Sequence, residues 1–91
     1  MNQGEIVDCL AELSEKLGIK LRWEALMGDG GTCELRGKRY LFVDRSTDLG
    51  TQMDVMADAL CDEPIDNIYI VPEVRDLLER ARAQKKARDE R

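Results

Sequence analysis

Near the start of the chain Ile6, Leu10, Leu13 and Leu17 recur at steps of four, three and four, with Asp8, Glu12 and Glu15 set between them. Side chains three and four apart share one face of a helix, so the spacing predicts an amphipathic helix. Asn2 followed three residues later by Glu5 has the form of a capping box, which satisfies two orphan amides reciprocally and marks the start. Gly18 supplies the left-handed position that ends it. From there the period changes to two: Ile19, Leu21, Trp23 and Ala25 alternate with Lys20, Arg22 and Glu24, as in a strand with one buried face. Met27-Gly28-Asp29-Gly30-Gly31 predicts a reversal of the chain. A second strand follows with Cys33 and Leu35 on one side, and Arg36-Gly37-Lys38 turns it into a third, Arg39-Tyr40-Leu41-Phe42-Val43. Tyr40 and Phe42 face one way and Leu41 and Val43 the other, so this strand is apolar on both sides and belongs in the middle of a sheet.

Asp44-Arg45-Ser46-Thr47-Asp48 is rich in helix-capping residues and precedes Leu49, Met53, Met56 and Leu60, again at helical steps. This second helix should end near Asp62-Glu63-Pro64, because proline lacks an amide and restricts the residue before it. Ile68-Tyr69-Ile70-Val71 is a short β-branched run that predicts a fourth strand. Pro72 suits the first position of a third helix with Val74, Leu77, Leu78 and Ala81 as its buried stripe. The expected fold is α+β in the order α-β-β-β-α-β-α: an antiparallel meander with an added fourth strand and helices packed on the sheet in two layers. Residues 1–83 form one domain, and 84–91 fray or extend as a charged helix end.

Composition narrows what such a domain does. Ninety-one residues allow a single core, and 43% hydrophobic with 36% charged residues describes a compact globular chain. No apolar run approaches the roughly 18 residues of a membrane span, and the start of the chain lacks an export pattern, so a cytoplasmic protein is expected. With no histidine, the Ser-His-Asp triad and the HExxH zinc site cannot be built. The formal charge of −5 is uneven: residues 1–74 carry 15 acidic and 7 basic side chains, residues 75–91 carry 4 and 7. An acidic body repels phosphate backbones, so nucleic acid is not an expected partner. Cys9, Cys33 and Cys61 are odd in number, widely spaced and free of a C-x-x-C pair, which reads as free thiols in a reducing compartment, without a metal or other cofactor.

Few features suggest chemistry. The glycine-rich turn has amides to cradle an anion, but it joins two strands and lacks the lysine of a phosphate loop. Cys33, beside that turn, reads either as a reactive thiol or as an inert one buried with Leu35; no imidazole is present to activate it. Asp54, Asp58 and Asp62 fall at steps of four on the second helix, in a stretch from 46 to 74 without lysine or arginine. Such a ridge reads as a solvated face, as weak cation ligation, or as a docking surface for a basic partner such as helix 75–91 of a second copy. Trp23 and Tyr69 read as core aromatics before pocket linings.

Through Gly30-Gly31-Thr32-Cys33-Glu34-Leu35-Arg36-Gly37-Lys38, the second helix and Asn67-Ile68-Tyr69-Ile70-Val71-Pro72, the chain resembles a family of small bacterial proteins of unassigned role. The resemblance spans about residues 5–82, carries no catalytic signature, and implies a bacterial cytosolic protein. A fainter likeness is to zinc peptidases of the HExxH type, whose strands lead into a metal-bearing helix. Laid on Asp58-Ala59-Leu60-Cys61-Asp62, that motif meets aspartates at its histidine positions and Ala59 at its general base, so the likeness implies at most a shared or decayed scaffold.

By subtraction, the expected function is a non-enzymatic protein-interaction module, self-associating or meeting another protein. Its contact surface would be the sheet face bearing Lys20, Arg22 and Glu24, joined by either Tyr40 with Phe42 or Leu41 with Val43. The competing reading is a ligand-binding protein or degenerate enzyme using Cys33 or the Asp54, Asp58 and Asp62 ridge.

Overall fold

The computed structural model describes residues 1–25 and 30–89 and has an α+β architecture with three helices and a three-stranded mixed sheet. The order is α1 (Gln3–Lys16), β1 (Ile19–Glu24), β2 (Gly30–Leu35), β3 (Lys38–Asp44), α2 (Leu49–Leu60) and α3 (Pro72–Asp89). The Asn2 capping box is formed: its Oδ1 accepts from the Glu5 amide at 2.9 Å, and the Glu5 carboxylate accepts from the Asn2 amide at 3.2 Å. Gly18, with φ of 76°, ends α1 in the left-handed region. Asp48 caps α2 by accepting from the Thr51 amide, and that bond holds its carboxyl below the usual carboxylate range.

The sheet is not a meander. β3 lies between the other two, parallel to β1 and antiparallel to β2, in the order β1-β3-β2. β2 does run back against β1, but β3 separates them because only β3 is apolar on both faces and needs neighbours on both edges. The reversal assigned to Met27-Gly28-Asp29 lies outside the described residues; Gly30 and Gly31 belong to β2. The expected β2–β3 hairpin is present, with Leu35 paired to Lys38 across Arg36 and Gly37. Both loop residues have positive φ, 54° and 78°, as in the type I′ turns that match the strand twist. Arginine is strained there, so Arg36→Asn is expected to raise unfolding free energy by about 0.5 to 1 kcal/mol in urea titration, with the pairing register unchanged.

The fourth strand expected at 68–71 is absent: the sheet has three strands among the described residues. Ile70 is buried against α1 and α3, in a cleft that Cys9, Leu13 and Val74 also line, so the run spends its apolar side chain on helices instead of on the sheet edge. Tyr69, expected in the core, is 78% exposed, and Leu49 faces solvent at the first turn of α2. Trp23 is also partly exposed, at the outer end of β1.

The core lies on one face of the sheet. Leu41 and Val43 of β3 and Ile19 of β1 are buried against Leu10 and Leu13 of α1, Met56 and Leu60 of α2, and Val74 and Leu78 of α3. α1 packs on β1, α2 packs on β2 and β3, and α3 packs on the other two helices. Buried Ser14 donates to the Ile19 carbonyl at 3.0 Å, tying the end of α1 to the start of β1. α3 buries only Val74 and Leu78, early in its length, and continues as a helix past Ala83 to Asp89.

Candidate functional site

Because side chains alternate along a strand, the register decides which residues share the face turned away from the helices. Leu41 pairs with Leu21 and Thr32 on the covered side, which puts Tyr40, Phe42, Lys20, Arg22, Glu24, Lys38, Cys33 and Leu35 on the other. Between the two alternatives for β3, then, Leu41 and Val43 are buried and Tyr40 with Phe42 join the charged residues of β1. No helix among the described residues packs on this face. Tyr40 and Phe42, two apart on one strand, stack with ring centroids 6.0 Å apart and planes 25° from parallel. The Arg22 guanidinium sits 5.9 Å from the Tyr40 centroid, within cation–π range. Lys20, Arg22, Lys38 and Leu35 are exposed, Leu35 by 59%.

This face carries Lys20, Arg22 and Lys38 in an acidic chain whose other basic region is 75–91; Arg39 turns to the opposite side, where it pairs with Glu63. Of the seven lysines and arginines before residue 75, six lie between positions 20 and 45. Glu24 is the acidic residue exposed on the face; the other carboxylate of the same parity, that of Asp44, is buried and accepts from the Ser46 amide and hydroxyl at 2.9 and 2.7 Å.

Cys33 shares the side of β2 with Leu35, as its spacing indicates, but that side meets solvent, so the expectation of an inert buried thiol is corrected: Cys33 is exposed. Burial, reinforced by Asp62, pushes the Cys61 thiol up, and burial followed by Glu12 does the same for Cys9. An alkylating reagent therefore meets Cys33 first through access alone, and fast labelling there would not signal catalysis.

The aspartate ridge meets a basic helix, but within the same chain. Lys85 of α3 lies 2.9 Å from Asp62, and Arg88 pairs with Asp58, while Asp54 is exposed one turn earlier. Asp54, Asp58, Lys85 and Arg88 line a groove of about 900 Å³ between α2, α3 and the start of β2, across which Asp58 is paired with Arg88. Among the described residues no three histidine, cysteine, aspartate or glutamate side chains converge on a point that could hold a metal ion. The segment from Asp58 to Asp62 ends α2 just after β3, so the strand-then-helix order that prompted the peptidase likeness is there, with its two carboxylates engaged by arginine and lysine.

Lys85 holds the Asp62 carboxyl below its usual range, and Asp62 in turn raises Lys85. A depressed carboxyl stabilises above its unfolded value of about 3.9 and loses that contribution as pH falls through the lower folded value. A raised ammonium holds until pH climbs past its folded value. The last two turns of α3 are thus fastened across the neutral range. Protection of the amides in residues 84–89, measured against the intrinsic exchange rate at each pH, should fall as the medium is acidified through the Asp62 titration, and Asp62→Asn should show that lower protection already at pH 7.

The contact of α3 on α2 joins, within one chain, the ridge and the basic helix that the sequence pairs between two copies. Its signal lay in the basic tail and acidic ridge taken together, with the second helix and the third close in sequence. Lys38 and Leu35 on the open face were likewise missed, because the register that places them depends on which strand is central. Comparison of the chain with protein-family models, with curated proteins and with solved structures finds no match in any of the three. No described helix is long and apolar enough to cross a membrane.

Proposed function

We propose that this chain is a non-enzymatic protein-interaction module that docks a protein partner through the uncovered face of its sheet. The observation that carries the reading is the stacked Tyr40–Phe42 pair, with Arg22 over it, on a face that no described helix covers. Aromatic and arginine side chains are the residue types that concentrate binding energy at interfaces, and an apolar centre rimmed by charges is the usual layout. The rival reading, a ligand or catalytic site on the aspartate ridge, is weakened by the engagement of Asp58 and Asp62 with Arg88 and Lys85. Self-association by two-fold stacking of this face is disfavoured, since it would set Lys20, Arg22 and Lys38 of one copy near those of the other. A cytoplasmic, bacterial setting would fit the family likeness.

The exposed thiol offers the test. A photo-crosslinking maleimide on Cys33 should yield a discrete, saturable adduct with a protein partner that unlabelled protein competes away and Phe42→Ser removes. The same reagent on a cysteine placed at Asp8, on the outer face of α1, should give none. Equal adducts from both positions, or an adduct indifferent to Phe42→Ser, would count against the proposal.

A further inference from the structure

Resting on the interaction reading, we infer that the open face takes an acidic segment of another protein, its carboxylates set against Lys20, Arg22 and Lys38 and its apolar side chains against Tyr40, Phe42 and Leu35. Charge segregation picks this occupant. A chain of formal charge −5 concentrates its early basic residues on the sheet and the strand ends, while the outer face of α1 carries Glu5, Asp8, Glu12 and Glu15. Electrostatic complementarity governs which partner is admitted and how fast, more than how tightly it is held. An acidic partner is steered away from α1 and the α2 ridge and toward this face in preference to α3, whose Lys85 and Arg88 are already paired with Asp62 and Asp58, whereas a basic partner is steered the opposite way.

The apolar part of the face sets the second requirement. Tyr40 and Phe42 are half-buried and Leu35 is exposed, all on the side that Arg22, Lys20 and Lys38 share. A segment that alternates carboxylates with leucine or phenylalanine would satisfy both sets, and Arg22 is already held over Tyr40 at 5.9 Å, which limits the ordering needed on binding. A single-stranded nucleic acid would also stack on the aromatics, but it brings a phosphate with every base to three cations and the exposed Glu24, in an acidic molecule. A second copy could offer its own acidic α1. That contact is head-to-tail and leaves both complementary faces free at the ends, so it would propagate into rings or open chains, not stop at a dimer.

Binding is followed by fluorescence anisotropy with a labelled peptide of alternating glutamate and leucine or phenylalanine. Its glutamine counterpart, its lysine counterpart and an oligothymidylate serve as competitors, and chain length is followed by light scattering. The acidic peptide should bind about tenfold or more tighter than the glutamine one, weaken by about tenfold as salt rises past the concentration that shortens the Debye length to a few ångströms, and shift amide resonances of β1 and β3. Arg22→Glu with Lys38→Glu should lose that binding while circular dichroism and the melting midpoint hold; Arg22→Lys should restore part of it. If the glutamine peptide binds as well and Phe42→Ser still abolishes it, the face is a docking site but the acidic assignment falls. Stronger competition by oligothymidylate, concentration-dependent chain growth, or no binding by the acidic peptide would each overturn the assignment. Acidic-peptide binding that survives Phe42→Ser would overturn the docking face as well.

Discussion

Leu41→Ala is expected to cost about 3 kcal/mol of unfolding free energy, whereas Phe42→Ser, one residue along the same strand, costs about 1 kcal/mol and abolishes docking. The contrast follows from the register. Leu41 is fully buried on the central strand, inside a cluster that includes Leu10, Met56 and Leu60, so deleting three heavy atoms leaves a cavity that three helices and a sheet cannot collapse into. Phe42 lies on the other side, half-buried, and stacks with Tyr40. A domain of this size holds roughly 5–10 kcal/mol in total, so the first change removes a large share of it. Parallel urea titrations with adduct formation at Cys33 separate the two effects. Equal destabilisation by both variants would mean that the face counted as open is covered.

Gly30→Ala is the second large effect. Gly30 has φ of 116°, a conformation that L-residues rarely adopt, and a Cβ there would overlap the backbone carbonyl oxygen of Phe42. Neither obstacle yields to a side-chain rotation, because the colliding atom belongs to the central strand. The strand has to part from β3 at its first pair, Gly30 with Val43, and a loss of about 3 kcal/mol is expected, seen as a lowered melting midpoint and early exchange of β2 amides. Gly31→Ala is the control for the contact alone: its φ of 155° is also one that L-residues rarely adopt, but no atom lies within 4 Å of its Cβ position, so it should lose clearly less. If both substitutions melted alike, contact with Phe42 would not be the cause.

Helices were legible in this sequence because their signals are local. The Asn2–Glu5 box, the Gly18 stop, the Asp48 cap and Pro72 at the first position of α3 are each set by a few neighbouring residues. Strand pairing is not local. Alternation over 19–25 and 32–36 identifies strands with one apolar face, but only the two-sided apolarity of Tyr40, Leu41, Phe42 and Val43 bears on their order, and it points to the centre without saying that β1 pairs with β3 in parallel. The run at 68–71 has the composition of a strand and the role of a helix-packing strip, since a β-branched side chain is equally content against α1 and α3. Cys33 and Leu35 were placed together correctly and on the wrong side, because nothing in two alternating positions says which face meets water. On the candidate site, the residues of β1 were visible, the choice within β3 was open, and the pairing of Asp58 and Asp62 with α3 depended on a tertiary contact.

Threading β3 between strands that precede it also orders the assembly of the chain. The tight Arg36-Gly37 turn lets β2 and β3 zip within microseconds, from contacts a few residues apart. β1 pairs with β3 over a longer sequence separation, Ile19 with Arg39 at the start, and comes to it fastened to α1 through Ser14. Substitutions in the ribbon should therefore slow refolding, and those that loosen β1 should chiefly hasten its escape from the native state.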